Sequence, residues 1–126
     1  MQVLIDTVVF IWALVSPERV SKRATALLNK SDTVRLLSAV SVSELAIKQA
    51  RGKLAINKEQ VSAGVSDLRL RILPYTAQHA YELFELPLHH FDPFDRQIIA
   101  QAISEDIPVV TSDEKFSLYK GLKVIW

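Results

Sequence analysis

The sequence predicts an α/β domain, a three-layer α/β/α sandwich around a mainly parallel central sheet. Short apolar runs end close to an acid: Gln2 to Ile5 leads into Asp6, and Ile107 to Thr111 leads through Ser112 into Asp113. Such runs read as strands buried on both faces. Longer segments with apolar residues at helical spacing lie between them, and strands alternating with helices require crossover connections, hence parallel strands with helices on both faces. Residues 1–126, 49% hydrophobic and 23% charged, make one domain with a sizeable core. No repeat, low-complexity stretch or linker divides it.

Taken in order, Gln2 to Ile5 is the first strand. Val8 to Val15 is apolar all round and includes Phe10 and Trp12, so this helix is either enclosed by the fold or used as a subunit interface. A second helix from Pro17 turns Val20, Ala24, Leu27 and Leu28 inward. Val34 to Val40 reads as a strand, after which Ser41 and Glu44 have the spacing of a capping box opening a helix toward Gly52. Asn57 caps a helix with Val61, Val65 and Leu68 on one face, with Gly64 as an oddity inside it. Arg71 to Leu73 reads as an edge strand. Thr76 opens a helix whose stripe would be Ala77, Ala80, Tyr81 and Phe84.

The stretch from 88 to 113 is the most informative. Asp92 is a good N-cap and Pro93 suits the first helical position, where a missing N–H costs nothing. From there to about Asp106, Phe94, Ile98, Ile99, Ala102 and Ile103 form the buried stripe, with Gln97, Gln101, Ser104 and Glu105 opposite. Asp95 leaves the helix at the edge of that stripe. A strand from Ile107, a short helix near Glu114 to Tyr119, Gly121 and a strand from Lys123 to Trp126 complete the chain.

Composition excludes several classes of function. No cysteine is present, which removes disulfides, thiolate metal sites and cysteine nucleophiles and fits a reducing compartment. The apolar start is broken by Asp6 and has no basic residue ahead of it, so neither a signal peptide nor a membrane span is expected, and the expected location is the cytoplasm. Neither GxxxxGK[ST] nor GxGxxG occurs, which disfavours nucleotide cofactors. The formal charge of +1 conceals an asymmetry. If several acids gather in one site, the remaining surface is basic and suits a polyanion; the plain alternative is an ordinary mixed surface.

Four acids stand out, and each has a bland explanation. Glu44 completes a capping box, Asp95 follows an N-cap, and Asp6 and Asp113 each precede a helix. Capping does not explain why all four fall at one edge of a parallel sheet, the edge where ligands bind in such folds. Two like charges about 4 Å apart repel by roughly 4 kcal/mol at an effective dielectric near 20, so a carboxylate cluster needs protons or cations. All-oxygen ligands favour Mg²⁺ or Mn²⁺, which would activate a water and neutralise charge on a phosphodiester.

These residues resemble a PIN-domain ribonuclease and, within that superfamily, the VapC-type toxins of type II toxin-antitoxin pairs. The resemblance spans essentially the whole chain. It is carried by Leu4-Ile5-Asp6-Thr7 with Trp12, by Ser41-Val42-Ser43-Glu44 with Lys48 and Gly52-Lys53-Leu54, by His90 to Arg96, by Ile99-Ala100-Gln101-Ala102 and by Thr111-Ser112-Asp113. It implies that Asp6, Glu44, Asp95 and Asp113 are the acidic metal site, with Mg²⁺ or Mn²⁺ as cofactor. It also implies endoribonuclease action on RNA, a small antitoxin partner that blocks the site, and a homodimer. Thr7, Thr111, Ser112, Arg96 and Lys48 are the accompanying candidates for substrate contact. Val8 and Phe91 depart from relatives, which often carry His and a basic residue at these places.

Two other readings stay open. The same fold also suits a non-catalytic RNA- or partner-binding module whose acids only cap helices, or a metal-dependent phosphohydrolase of small phosphate esters. His89 and His90 beside Asp92 offer imidazole ligands, yet with neither HExxH nor cysteine nearby a loop role is the stronger reading. Arg96 would touch a phosphate or, more plainly, pair with an acid. Lys48, Arg51 and Lys53 form a basic set near Glu44 suited to guiding an RNA backbone.

Overall fold

The computed structural model describes residues 1–126. Five parallel strands form one sheet in the order β3-β2-β1-β4-β5: β1 (Gln2–Ile5), β2 (Val34–Ser38), β3 (Arg71–Leu73), β4 (Val109–Val110) and β5 (Val124–Ile125). Six helices accompany them: α1 (Thr7–Val15), α2 (Lys22–Leu28), α3 (Ala39–Ala50), α4 (Lys58–Asp67), α5 (Ala77–Glu82) and α6 (Pro93–Glu105). Every strand pair is parallel, with Leu4 opposite Leu36 on one side and Val109 on the other.

Alternation along the strands creates two cores. Val3, Ile5, Leu37 and Val110 face α1, α2 and α4, where Val9, Phe10, Ala24 and Val61 meet them. Leu4, Leu36 and Val109 face the opposite way, against Ile98, Ile99 and Ala102 of α6 and the buried Phe116 and Tyr119 of a 3-10 turn, Glu114–Leu118, and its end. The three-layer arrangement follows from this period of two. None of the helices is long and apolar enough to cross a membrane.

Because β1 neighbours β2 on one side and β4 on the other, the chain reverses direction across the sheet there. A crevice opens at such a switch point beyond the C-terminal strand ends. Asp6 follows β1 directly, and Thr111 and Asp113 follow β4.

Local signals held where the chemistry is local. Asn57 and Gln60 form a reciprocal capping box on α4, and Asp92 Oδ1 accepts from the amides of Phe94 and Asp95 at 2.9 Å each. Gly64 is explained by close packing, since a Cβ there would lie 2.6 Å from Leu14 Cδ1 and 3.2 Å from Phe10 Cζ.

Four expectations are corrected. The second helical segment splits into a 3-10 turn (Pro17–Arg19) and α2, capped by Ser21 accepting from the Ala24 amide. The β2 strand stops at Ser38, whose hydroxyl caps α3 by accepting from the Val40 amide, so Ser41 and Glu44 lie inside the helix and form no capping box. Tyr81 of α5 and Phe84 in the turn after it are exposed and His79 is buried instead, its Nδ1 accepting from the Thr76 amide and its Nε2 lying 2.7 Å from Glu105 Oε1. Gln101 sits on the buried face of α6. There it accepts from the Ser38 hydroxyl and donates to Pro74 O at 3.2 Å and Leu73 O at 3.4 Å. One buried amide thus joins α6 to the ends of β2 and β3 and satisfies polar groups that water cannot reach.

The apolar α1 helix is neither wholly enclosed nor free. Val9 and Phe10 are buried, Ile11 to Leu14 are half-buried, and Val8 and Val15 are exposed. Trp12 packs on Trp126 at 6.0 Å between ring centroids, with the Arg19 guanidinium 4.4 Å over its ring.

Candidate active site

Asp6 occupies the N-cap position of α1 but makes no side-chain capping bond. Its Oδ2 accepts from the Thr111 hydroxyl at 2.8 Å. Burial pushes this carboxyl up to about 6, against the pull of Thr111, and repulsion from Glu44 and Asp113 adds to the rise. The fold thus holds a carboxylate where a proton or a cation is welcome.

Glu44 projects from α3 and is 3% exposed. One oxygen, Oε2, takes the Lys48 ammonium one helical turn on, while Oε1 is buried with no partner. An orphaned carboxylate oxygen is costly, and a cation ligand is one way to satisfy it. Lys48 is held above its ordinary value by its hydrogen bond to Glu44, with Asp92 and Asp95 contributing.

Asp95 stands in the first turn of α6, where the helix dipole favours negative charge, yet its carboxyl is pushed up to about 8. Burial is the largest cause, followed by repulsion from Asp92, Asp6, Glu44 and Asp113. Asp95 thus lies in the field of the other three predicted acids, and Asp6 in that of Glu44 and Asp113. Asp113 is half-buried and caps the 3-10 turn through the Lys115 amide at 2.9 Å, so capping accounts for part of its role.

The side chains do not close into a group of three around one point. The donor set nevertheless suits Mg²⁺ or Mn²⁺: hard oxygens, a partnerless Glu44 Oε1, and carboxyls raised by burial and by their neighbours' charge. Mg²⁺ commonly binds through one or two carboxylates and keeps several waters, so a closed protein cage is not required.

The five accompanying candidates are placed unevenly. Thr111 spends its hydroxyl on Asp6, Thr7 donates to Ser41 Oγ at 2.8 Å, and Lys48 pairs with Glu44. Arg96 pairs with no acid; its Nη1 donates to Pro87 O at 2.8 Å and Tyr119 Oη at 3.1 Å, and its Nη2 to Leu86 O at 3.2 Å. Only Ser112 of the five is exposed. A cleft of about 310 Å³, lined by residues including Thr7, Val8, Glu44, Lys48 and Lys53, opens beside Glu44.

Ser41, expected as a cap, and His90, expected in a loop role, take buried places beside the acids. Ser41 is buried as the acceptor for Thr7, and His90 is buried with Nδ1 2.6 Å from Tyr119 Oη and Nε2 3.5 Å from Asp95 Oδ2. The adjacency of His90 to the Asp-Pro-Phe-Asp run was visible in the sequence; its contact with Tyr119, a residue 29 positions away, was not.

The sheet is parallel and covered on both faces, with Asp6, Thr111 and Asp113 beyond the strand ends at its switch point. A family profile described as PIN domain matches residues 3–122, and the chain belongs to the PIN-domain family. Solved structures agree in fold. VapBC2 from Rickettsia felis, bound to a DNA fragment from its promoter, superposes with a TM-score of 0.75 at 19% identity, covering 99% of this chain and 98% of that one. VapBC-1 from nontypeable Haemophilus influenzae gives 0.70 at 20%, covering 99% and 97%. FitAcB from Neisseria gonorrhoeae gives 0.62 at 23%, covering 98% and 96%. A search of curated proteins returns no match.

Proposed function

We propose that this PIN domain is a VapC-type toxin, an endoribonuclease dependent on Mg²⁺ or Mn²⁺. The observation that carries this reading is the set Asp6, Glu44, Asp95 and Asp113, in which burial first and mutual repulsion second raise the Asp6 and Asp95 carboxyls, while one buried Glu44 oxygen has no partner. Structural ion-pair networks rarely stack like charges without matching cations, and here Lys48 alone is paired with one of the four. Asp6, Glu44, Asp95 and Asp113 would hold the ion, which supplies an activated water and neutralises charge on the phosphodiester.

The chain's own residues prepare the site. Thr111 holds one Asp6 oxygen and restrains its lone pairs, Lys48 offsets part of the negative charge beside Glu44, and Asp92 fixes the start of α6 and so the origin of Asp95. Ser112 is exposed and available to substrate, and Lys53 is exposed on the cleft with no ion pair, suited to a phosphate. An antitoxin partner fits the similar solved structures, which are VapBC complexes, and the exposed apolar side chains of α1 leave room for a partner or a second copy.

The non-catalytic reading requires the acids to be helix caps, and Asp6, Glu44 and Asp95 make no capping bonds. Cleavage of RNA in Mg²⁺, compared among the wild type, Asp6→Asn and Asp95→Asn, tests the proposal. Cutting by the wild type alone, abolished by chelation, is expected; undiminished cutting by both folded variants would remove the acids from the mechanism. Faster turnover of a simple phosphate ester than of RNA would favour the small-ester reading.

A further inference from the structure

His90 lies in the loop before α6, is 8% exposed, and belongs to none of the roles described so far. Its hydrogen-bond partners determine which ring nitrogen carries the proton. Arg96 Nη1 is 3.1 Å from Tyr119 Oη, and a guanidinium only donates, so the phenol oxygen is the acceptor of that bond. The phenol proton then has one acceptor within reach, His90 Nδ1, at 2.6 Å. A ring that accepts at Nδ1 carries its proton on Nε2 when neutral. That atom is buried and makes no hydrogen bond; the carboxylate oxygen beside it is Asp95 Oδ2, 3.5 Å away.

We propose that His90 is a positioning residue for Asp95: the Arg96–Tyr119 pair fixes its tautomer, and the unpartnered Nε2 proton closes onto Oδ2 to orient that carboxylate for the cation. The inference rests on the reading of Asp95 as a metal ligand. Donation runs from Arg96 to Tyr119 and from Tyr119 to His90, which leaves the Nε2 proton on the side of the ring nearest Asp95. The start of this chain is rigid, because Arg96 also holds Pro87 O and Leu86 O, while His89 packs edge-on against the Tyr119 ring at 4.8 Å. Asp113 and Asp92 add negative charge around the imidazole, and Lys115 and Arg96 oppose it. Partners of this kind orient metal-ligating carboxylates, and losing one typically lowers metal affinity about 10- to 100-fold.

The test uses the full chain, ring-nitrogen NMR of His90 and calorimetric titration with Mn²⁺. Expected are a proton on Nε2 in the metal-free wild type, at least about tenfold weaker Mn²⁺ binding in His90→Leu, and recovery in His90→Gln, whose amide restores a donor. A proton on Nδ1 in the wild type, or His90→Leu binding Mn²⁺ as tightly as the wild type, overturns the proposal while leaving the metal site standing. A wild type that binds no Mn²⁺ overturns the metal reading and this proposal together. If His90→Leu fails to fold, Tyr119→Phe decides: a mixed tautomer with weakened Mn²⁺ binding supports the chain, and an unchanged single tautomer overturns it.

Discussion

Thr111 Oγ1 donates a 2.8 Å hydrogen bond to Asp6 Oδ2, joining residues 105 positions apart beyond the ends of two adjacent parallel strands. The bond favours the charged carboxylate at a buried point where desolvation disfavours it. Removing the hydroxyl with Thr111→Val leaves a buried acceptor unmet, at a cost of about 1–3 kcal/mol to the folded state. The Asp6 carboxyl should rise further above about 6, and Mn²⁺ binding at neutral pH should weaken. Denaturant unfolding and a carboxyl titration by NMR check both effects.

Stability without added metal should depend on pH in an unusual sense. Asp6 and Asp95 bind a proton more tightly folded than unfolded, raised from 3.8 to about 6 and about 8. Their contribution is therefore fully present below pH 3.8 and lost as pH rises through about 6 for Asp6 and about 8 for Asp95. Asp95→Asn should remove the upper part of this loss and raise metal-free stability at pH 8.5 by about 1–2 kcal/mol, discounted for partial exposure. Thermal melts of both proteins across this range provide the measurement.

Gln101 should be more sensitive than a polar helix residue normally is. Gln101→Leu strands the Ser38 hydroxyl and deprives Pro74 O and Leu73 O of a donor, so a loss of about 2–4 kcal/mol is expected. Gln97→Leu on the same helix, where the side chain is half-buried and has no such partners, should change stability by no more than about 0.5 kcal/mol. Urea unfolding of the pair gives the comparison.

Gly64→Ala sets helix propensity against packing. Alanine gains about 1 kcal/mol in a helix interior, but its methyl would press on Leu14 Cδ1 at 2.6 Å and Cδ2 at 2.9 Å, and overpacking costs about 1–3 kcal/mol. Net destabilisation of roughly 1 kcal/mol is expected, and Leu14→Ala in the same chain should relieve the clash, visible as a positive coupling in a double-mutant cycle.

The parts of this fold legible in the sequence are those set by neighbours within a few residues. Asp92-Pro93, the Asn57–Gln60 box and the run Gln2–Ile5 before Asp6 announce element ends through their own backbone chemistry. Ser38 and Ser41 show the limit of such signals, because both are plausible caps and only the extent of the β2 ladder selects Ser38. Gln101, expected on the outer face of α6, and His79, outside the stripe expected on α5, are buried for another reason. A polar side chain enters the core when distant partners satisfy it, and Ser38, Pro74 and Glu105 are not neighbours in sequence. The proximity of the four acids was readable as a consequence of parallel topology, whereas the engagement of Arg96 with Leu86, Pro87 and Tyr119 depended on how the loop before α6 folds back.

Calorimetric titration of the full chain with Mn²⁺ at pH 7.5, in two buffers of different ionisation enthalpy, tests the shared carboxylate site most directly. Saturable binding with proton release is expected, because a carboxyl raised to about 8 must lose its proton to a cation, together with at least tenfold weaker binding in both Asp6→Asn and Asp95→Asn. No binding by the wild type, or equal binding by both variants, would contradict it.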